Sequence, residues 1–256
     1  MTGLPGKNFL TALDHGRAAT GERAENGGVV REFSEDRSSC QIRFSRLSAD
    51  DADAVIEAEK ALADKGGYEL EWKLYTHDAP SDLAARLEAA GFVADDREQV
   101  LALPLDAETM AVFDTSAFDV RRVVDEEGLA DYAEIAREIG RKNADSERRR
   151  LWACLQETPD VMSVHVAYVG SEPVAGGRVH YPEGAGYAEL AGGRTKTTHR
   201  LRGMFTAVVG SRLAEVSARG LDLVFTDALP TSEPILAKRG FRTVVGTQPF
   251  VYTPSS

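Results

Sequence analysis

His199-Arg200-Leu201-Arg202-Gly203-Met204-Phe205-Thr206 is the stretch whose reading decides the fold. Before it, residues 187–195 are patterned as a strand. After it, residues 203–218 carry Phe205, Val208, Val209, Leu213 and Val216 on one face at helical spacing, and Gly220 closes the run. The stretch is therefore a strand-to-helix junction. Helix N-termini carry partial positive charge and free N–H donors, and acidic side chains normally gather there. Here Arg200 and Arg202 stand at the start, and no Asp or Glu occurs from residue 190 to 214, while Arg194, Lys196 and Arg212 do. Each misplaced cation costs about 0.3–1 kcal/mol unless an anion sits on it. On charge alone a solvated basic face is the plainer explanation. The helix start changes the balance: phosphate oxygens would accept from backbone N–H groups and guanidinium donors together, and Gly203 lets the backbone come close. The junction reads as a pyrophosphate cradle formed by Arg200, Leu201, Arg202, Gly203, Met204, Phe205 and Thr206.

The wider sequence bounds what such a cradle serves. The chain has 256 residues, 43% hydrophobic and 28% charged, with a net charge of −11. That suits one large domain or two small ones and argues against a nucleic-acid binder. No run approaches the ~18 apolar residues of a membrane span, and the N-terminus, with Lys7 and no apolar run, does not read as a signal peptide. Cys40 and Cys154 lie far apart and read as free thiols, so a cytoplasmic location is expected.

Residues 1–39 are polar and Gly-rich and read as an arm, with a short strand at 29–33. Strands are expected at 41–47, 68–75 and 99–105. Helices are expected from a Ser48 cap to about 65, stopped by Gly66-Gly67, and over 82–90, stopped by Gly91. Residues 106–117 read as a linker. The second half opens with a strand at 118–124 and helices at 126–139 and 145–156. Strands at 161–169, 174–181 and 187–195 follow, then the helix at 203–218. A strand at 221–226, a helix at 232–239 and a strand at 241–253 finish the chain. Two segments echo each other: strand, a Pro-Ser or Pro-Thr-Ser start, and a helix ending in Gly91-Phe92 or Gly240-Phe241.

No G-x-x-x-x-G-K-[ST] and no strand-following G-x-G-x-x-G is present, so the common nucleotide motifs do not fit. The junction does resemble the Q/R-x-x-G-x-G/A acyl-CoA motif of the GNAT (GCN5-related) N-acetyltransferases. Arg200 and Gly203 match, whereas Phe205 stands where Gly or Ala is usual. The element order from Phe118 onward, and Asp227-Ala228 followed by a helix ending in Gly-Phe, are similar to that family too. The resemblance covers about half the chain. The first half resembles the truncated GNAT-like segment that precedes some bacterial acetyltransferases, with Glu71-Trp72-Lys73 and His77-Asp78 as its marks.

The resemblance implies an α/β (α+β) fold with a mixed, mostly antiparallel sheet flanked by helices. The expected division is an arm (1–39), a truncated GNAT-like subdomain (40–106) and an acetyltransferase domain (118–256). It also implies an acyl-CoA-dependent N-acyltransferase that moves acetyl from acetyl-CoA to a primary amine of a small molecule by direct attack, without a metal. The alternative is a non-catalytic acyl-CoA sensor or scaffold, and a longer acyl chain stays open. Pantetheine would run along the strand ending at Thr195. Glu189, on the strand before the basic loop, is the candidate general base: an amine of pKa near ~10 is mostly protonated at pH 7. An ordinary cross-strand Glu is the plainer alternative. The family's usual tyrosine acid falls at Leu236, so Ser232 and Tyr187 are the substitutes considered, each equally explained as a helix cap or a packed strand residue.

Other residues have ordinary explanations. His77-Asp78 reads as turn and cap, His165 and His180 as packed strand histidines, and Trp72 and Trp152 as core. Arg141, Lys142 and Arg148 to Arg150 read as a solvated face or as a wall for an acidic acceptor. The first half lacks an Arg-Gly helix start and opens its long helix with Asp50, Asp51 and Asp53, so one CoA site per chain is expected. Oligomeric state is open, a homodimer included.

Overall fold

The computed structural model describes residues 6–19, 21–24, 28–34, 36–113 and 115–254. Its elements are α1 (Gly6–Ala19), β1 (Glu22–Arg23), β2 (Val29–Phe33), β3 (Ser39–Ser45), α2 (Ala52–Gly66), β4 (Glu69–Tyr75), α3 (Leu83–Ala89), β5 (Val93–Ala94), β6 (Glu98–Pro104) and α4 (Ala107–Val112). The second half adds β7 (Asp119–Arg122), α5 (Glu126–Glu138), α6 (Ala144–Glu157), β8 (Met162–Val169), β9 (Glu172–His180), β10 (Ala188–Thr195), α7 (Met204–Ala218), β11 (Leu223–Ala228), α8 (Glu233–Ala237) and β12 (Arg242–Tyr252). It is a mixed α/β fold in which antiparallel pairings predominate.

The chain forms two compact units. One comprises Met1–Leu101, Ala228–Pro234 and Thr243–Ser256; the other Ala102–Asp227 and Ile235–Arg242. This division differs from the contiguous one anticipated, because β12 pairs with β4 from Thr247↔Tyr75 to Tyr252↔Leu70. In the first unit the strands run β1-β2-β3-β4-β12, and α2 makes the crossover between the parallel pair β3 and β4. Trp72, Ile42, Leu70, Ile56, Leu83, Leu87 and Phe250 form its core. Trp72 is fully buried, and its indole N–H reaches the Ser45 hydroxyl at 3.3 Å. Ser48 accepts from the Asp51 N–H at 3.1 Å, so the α2 cap signal is used, but one turn before the helix proper.

The supposed arm holds a helix. On α1, Phe9, Leu13 and Arg17 recur every fourth residue and are all buried. Residues 1–5, 20, 25–27 and 35 of that arm lie outside the described residues. Arg17 donates to both Asp78 oxygens, at 2.8 and 3.0 Å, and its guanidinium lies 3.7 Å from the Tyr75 ring centre. Asp78 also accepts from the Tyr75 N–H at 3.0 Å, the turn role expected of it. Asp14, His77 and Asp78 converge closely enough to suggest a metal group, but the Arg17 cation already bonds both carboxylates. The supposed linker holds α4, capped by Asp106, which accepts from the Thr109 N–H at 2.8 Å.

In the second unit the strand order is β11-β10-β9-β8-β7. β8 and β9 are buried along nearly their whole length, because helices cover both faces. Neighbouring glycines on β9 show this. A Cβ on Gly176 would lie 2.6 Å from Tyr132 of α5, and one on Gly177 would lie 2.7 Å from Arg212 of α7. Successive strand residues face opposite sides, so the two helices lie on opposite faces. No helix among the described residues is long and apolar enough to cross a membrane. The internal echo is also geometric. Phe92 N–H bonds the Leu87 carbonyl at 3.0 Å, and Phe241 N–H bonds the Leu236 carbonyl at 3.2 Å. The glycines before them have φ of 93° and 97°. Leu236 is thus the counterpart of the core residue Leu87 and is itself buried.

Candidate active site

The basic island separates into two groups. Arg194 donates to both oxygens of Glu147, at 2.9 and 3.0 Å, and stacks over Tyr132. Lys196 pairs with Glu134 at 2.5 Å and Glu172 at 3.2 Å. Arg212 is buried in α7 and donates to the carbonyls of Val208, Arg178 and Ala191. Burial pulls its guanidinium down to about 10, and the charge of Arg178 pulls the same way. These three are structural, a correction to the uniform island. Arg200 and Arg202 are exposed and have no ion pair among the described residues. Among the described residues the one side-chain hydrogen bond of either is a long one, from Arg200 Nε to the Thr195 carbonyl at 3.5 Å.

The backbone at this junction is unusual. Leu201 has φ 61° and is fully exposed, and Gly203, the residue before α7, has φ 85°. Alternating left-handed residues turn successive N–H groups towards one concavity, an arrangement suited to anions. The first turn of α7 contains no acid, whereas α5 is capped by Asp125 and carries Glu126 and Glu127, and α6 carries Asp145 and Glu147. Gly203 has a second reason to be glycine: a Cβ would lie 2.9 Å from the Phe118 ring. Phe205 is half-buried with its ring edge 3.0 Å from where a Gly193 Cβ would be, so it lies against β10 and leaves the helix start clear. Met204 and Thr206 are half-buried on the first turn of α7. The Thr195 hydroxyl is buried without a hydrogen-bond partner among the described residues.

The strand leading in is irregular. β10 follows β9 in register to Ala191↔Arg178 and resumes at Arg194↔Gly176, a bulge that includes Gly192 at φ 58°. β10 pairs with the parallel β11 only at Ala188↔Val224 and Glu189↔Phe225. Beyond that the Leu190 carbonyl accepts from the Thr226 side chain at 2.7 Å. The backbone ladder to β11 therefore stops after Glu189, and the ladder to β9 breaks at residues 192–193. Glu189 is half-buried just before the bulge. Tyr187 is buried with its ring edge-on to Phe225 at 5.4 Å between centroids, which is a packing role. The Ser232 hydroxyl donates to the Leu229 carbonyl at 3.2 Å, a turn bond ahead of α8, and Ser232 belongs to the first unit. The sequence reading missed Tyr132, Glu147 and Arg178, which surround the bulge; no motif marks them.

No known protein family profile matches the sequence, and no curated protein matches it. Solved structures do. The fold is that of the GCN5-related N-acetyltransferases. A GCN5-related N-acetyltransferase from Kribbella flavida is 16% identical, spans 100% of this chain and 98% of its own, and superposes with a TM-score of 0.69. A tandem GNAT protein from the clavulanic acid biosynthesis pathway is 15% identical over 98% of this chain and 96% of its own, with a TM-score of 0.61. A conserved protein of unknown function from Staphylococcus epidermidis is 13% identical, covers 92% and 95%, and has a TM-score of 0.69. At these identities the likeness concerns fold. The GNAT likeness extends over the first unit as well, as the near-complete coverage requires.

Proposed function

We propose that the protein is an acyl-CoA-dependent N-acyltransferase that moves acetyl from acetyl-CoA to the primary amine of a small molecule. The observation that carries this is the pair Arg200 and Arg202. They are the arginines of the basic island without an ion pair among the described residues, and they stand at a helix start with no acid in its first turn, whose backbone turns left-handed at Leu201 and Gly203. That arrangement favours a diphosphate over any uncharged ligand. The interrupted strand supports the rest. Pantetheine would lie along residues 190–195 and use the backbone groups that no strand partner takes, with the Thr195 hydroxyl beside it. The thioester would then lie at the bulge, where N–H groups of residues 190–192 can meet the developing oxyanion. Glu189, just ahead of the bulge, would take the proton from the acceptor ammonium.

Two bound reactants need no further covalent step, because proximity supplies much of the rate. Neither Tyr187 nor Ser232 has a geometry that favours an acid role. A thiol of pKa near ~8.5 can leave as the thiolate and take its proton from water. The buried Leu236 at the family's tyrosine position is the observation that favours the second reading, an acyl-CoA sensor. The first unit has the acidic helix start of α2 and no counterpart of Arg200-Leu201-Arg202-Gly203, so one CoA per chain is expected. Calorimetric titration with CoA should give that stoichiometry. Coupled thiol release with an amine panel should show turnover, and Glu189→Gln should lower kcat and alter its pH profile. Tight CoA binding without turnover on any amine selects the sensor; no CoA binding ends both readings.

A further inference from the structure

The loop that carries Arg200 and Arg202 is anchored from α5. Glu134 and Glu138 lie four residues apart on that helix, so one face presents both carboxylates. Glu134 takes the Lys196 ammonium at 2.5 Å, and Glu172 of β9 shares it at 3.2 Å. Glu138 takes the next residue. It accepts from the Thr197 hydroxyl at 2.6 Å and, through its other oxygen, from the Thr197 N–H at 3.3 Å. Glu138 is the last residue of α5, where the helix end is already negative and an acid is misplaced unless donors hold it. Thr197 supplies those donors. Its hydroxyl does most to hold the Glu138 carboxyl below the usual carboxylate range, helped by its N–H and by the charges of Lys196 and Arg200.

Residues 198–202 bridge from this anchor to Gly203, whose carbonyl accepts from the Ala207 N–H at 2.9 Å as α7 begins. Bonds inside the bridge run back to the anchor. The His199 N–H reaches the Lys196 carbonyl at 2.9 Å, and the Arg200 N–H reaches that of Thr197 at 3.5 Å. Leu201 lies in the bridge at φ 61° and is fully exposed. A leucine rarely takes that conformation, and such a residue persists only where its surroundings impose it. With the side chain in water, packing cannot impose it. The two fixed ends of the bridge do.

We propose that Glu138 is a positioning residue for acyl-CoA: it braces the loop at Thr197 so that Arg200, Leu201 and Arg202 are set for the diphosphate before the ligand arrives. This rests on the CoA reading of the same loop. Glu138 works through Thr197 and not by touching the ligand. Its charge acts against its bonds, because an anion beside Arg200 weakens the attraction for phosphate. A purely electrostatic role would therefore make CoA bind more tightly once the charge is gone. Substitution separates the two effects. Gln drops the charge and keeps an oxygen for the Thr197 hydroxyl, whereas Ala drops both.

The test is calorimetric affinity for CoA in wild type, Glu138→Gln and Glu138→Ala, with KM for acetyl-CoA and kcat read by thiol release. Glu138→Ala should weaken CoA about 3- to 10-fold, the loss expected when hydrogen bonds of ordinary net strength no longer hold the competent loop. KM for acetyl-CoA should rise alike while kcat is kept. Glu138→Gln should recover most of the loss. Thr197→Val removes the hydroxyl from the other side of the brace and should also weaken CoA. The double variant Glu138→Ala/Thr197→Val should lose less than the product of the two single losses. In the free protein, amides of residues 198–203 should exchange hydrogen faster in Glu138→Ala than in wild type. The proposal is overturned if Glu138→Ala binds CoA as tightly as wild type, if Glu138→Gln loses as much as Glu138→Ala, if the two single losses multiply, or if kcat falls with CoA affinity unchanged. Absence of CoA binding by wild type would instead overturn the reading on which it rests; unchanged hydrogen exchange in Glu138→Ala would overturn the brace alone.

Discussion

Replacing Arg202 by alanine should stabilise the free protein while weakening its hold on CoA, two effects of opposite sign. The exposed Arg202 stands immediately before Gly203 at the positive end of α7, with no acid in the first turn. Removing a cation there recovers about 0.3–1 kcal/mol. At about 2–4 °C per kcal/mol for a chain of this size, the melting temperature of the free protein should rise by about 1–4 °C. Arg200 lies two residues farther from the helix start and, among the described residues, its side chain bonds only the Thr195 carbonyl at 3.5 Å, so its removal should be near neutral. In the complex the signs reverse. Each guanidinium–phosphate contact contributes about 1.5–3 kcal/mol when shielded and less in water, so the double variant should bind about 10- to 100-fold more weakly. With CoA at 100 times the wild-type Kd, linkage adds about 2.7 kcal/mol, a shift of about 5–11 °C. A 100-fold loss of affinity reduces that shift to about 1 °C. Thermal scans of wild type and Arg200→Ala/Arg202→Ala, with and without CoA, read both effects. An unchanged CoA shift, or a free double variant several degrees less stable, would refute the argument that these cations are held there for an anion.

Three further outcomes follow from the geometry. Gly192→Ala places a Cβ 2.5 Å from the Tyr132 hydroxyl at a φ of 58°, so urea titration should show a loss of about 1–3 kcal/mol. Arg17→Ala leaves the buried Asp78 carboxylate uncompensated and should cost about 3–5 kcal/mol, with faster proteolysis around α1. Hydrogen bonds from His165, Ser163 and Arg219 outweigh the opposing effect of burial and hold the Glu215 carboxyl down at about 2. Its contribution is therefore present above the unfolded value near ~4.3 and lost as pH falls towards 2. Stability measured over that window should fall less steeply in Glu215→Gln than in wild type.

The second unit was legible because its signals are local. Gly140 and Gly220 close α5 and α7, and period-two and period-3.6 patterns mark β8, β9, β10 and α7 within a residue or two. The α1 stripe of Phe9, Leu13 and Arg17 was also in the sequence, but one of its members is an arginine and the flanking residues are polar, so hydrophobic periodicity passed over it. Asp106 before Ala107-Glu108-Thr109 was a cap signal read as linker. The division of the basic island was not legible. The carboxylates that neutralise Lys196 and Arg194 lie 24 to 62 residues away, and no local pattern names them.

The pairing of β12 with β4 carries a consequence for how the chain is made. A ribosome releases residues 69–75 long before residues 242–252, so the first unit stays without β12 until more than 160 further residues have been made. Domain-by-domain maturation from the N-terminus is thereby ruled out for this unit. The early hydrophobic surface of Trp72 and its neighbours must wait, exposed or chaperoned, for Phe250 and the rest of β12 to arrive.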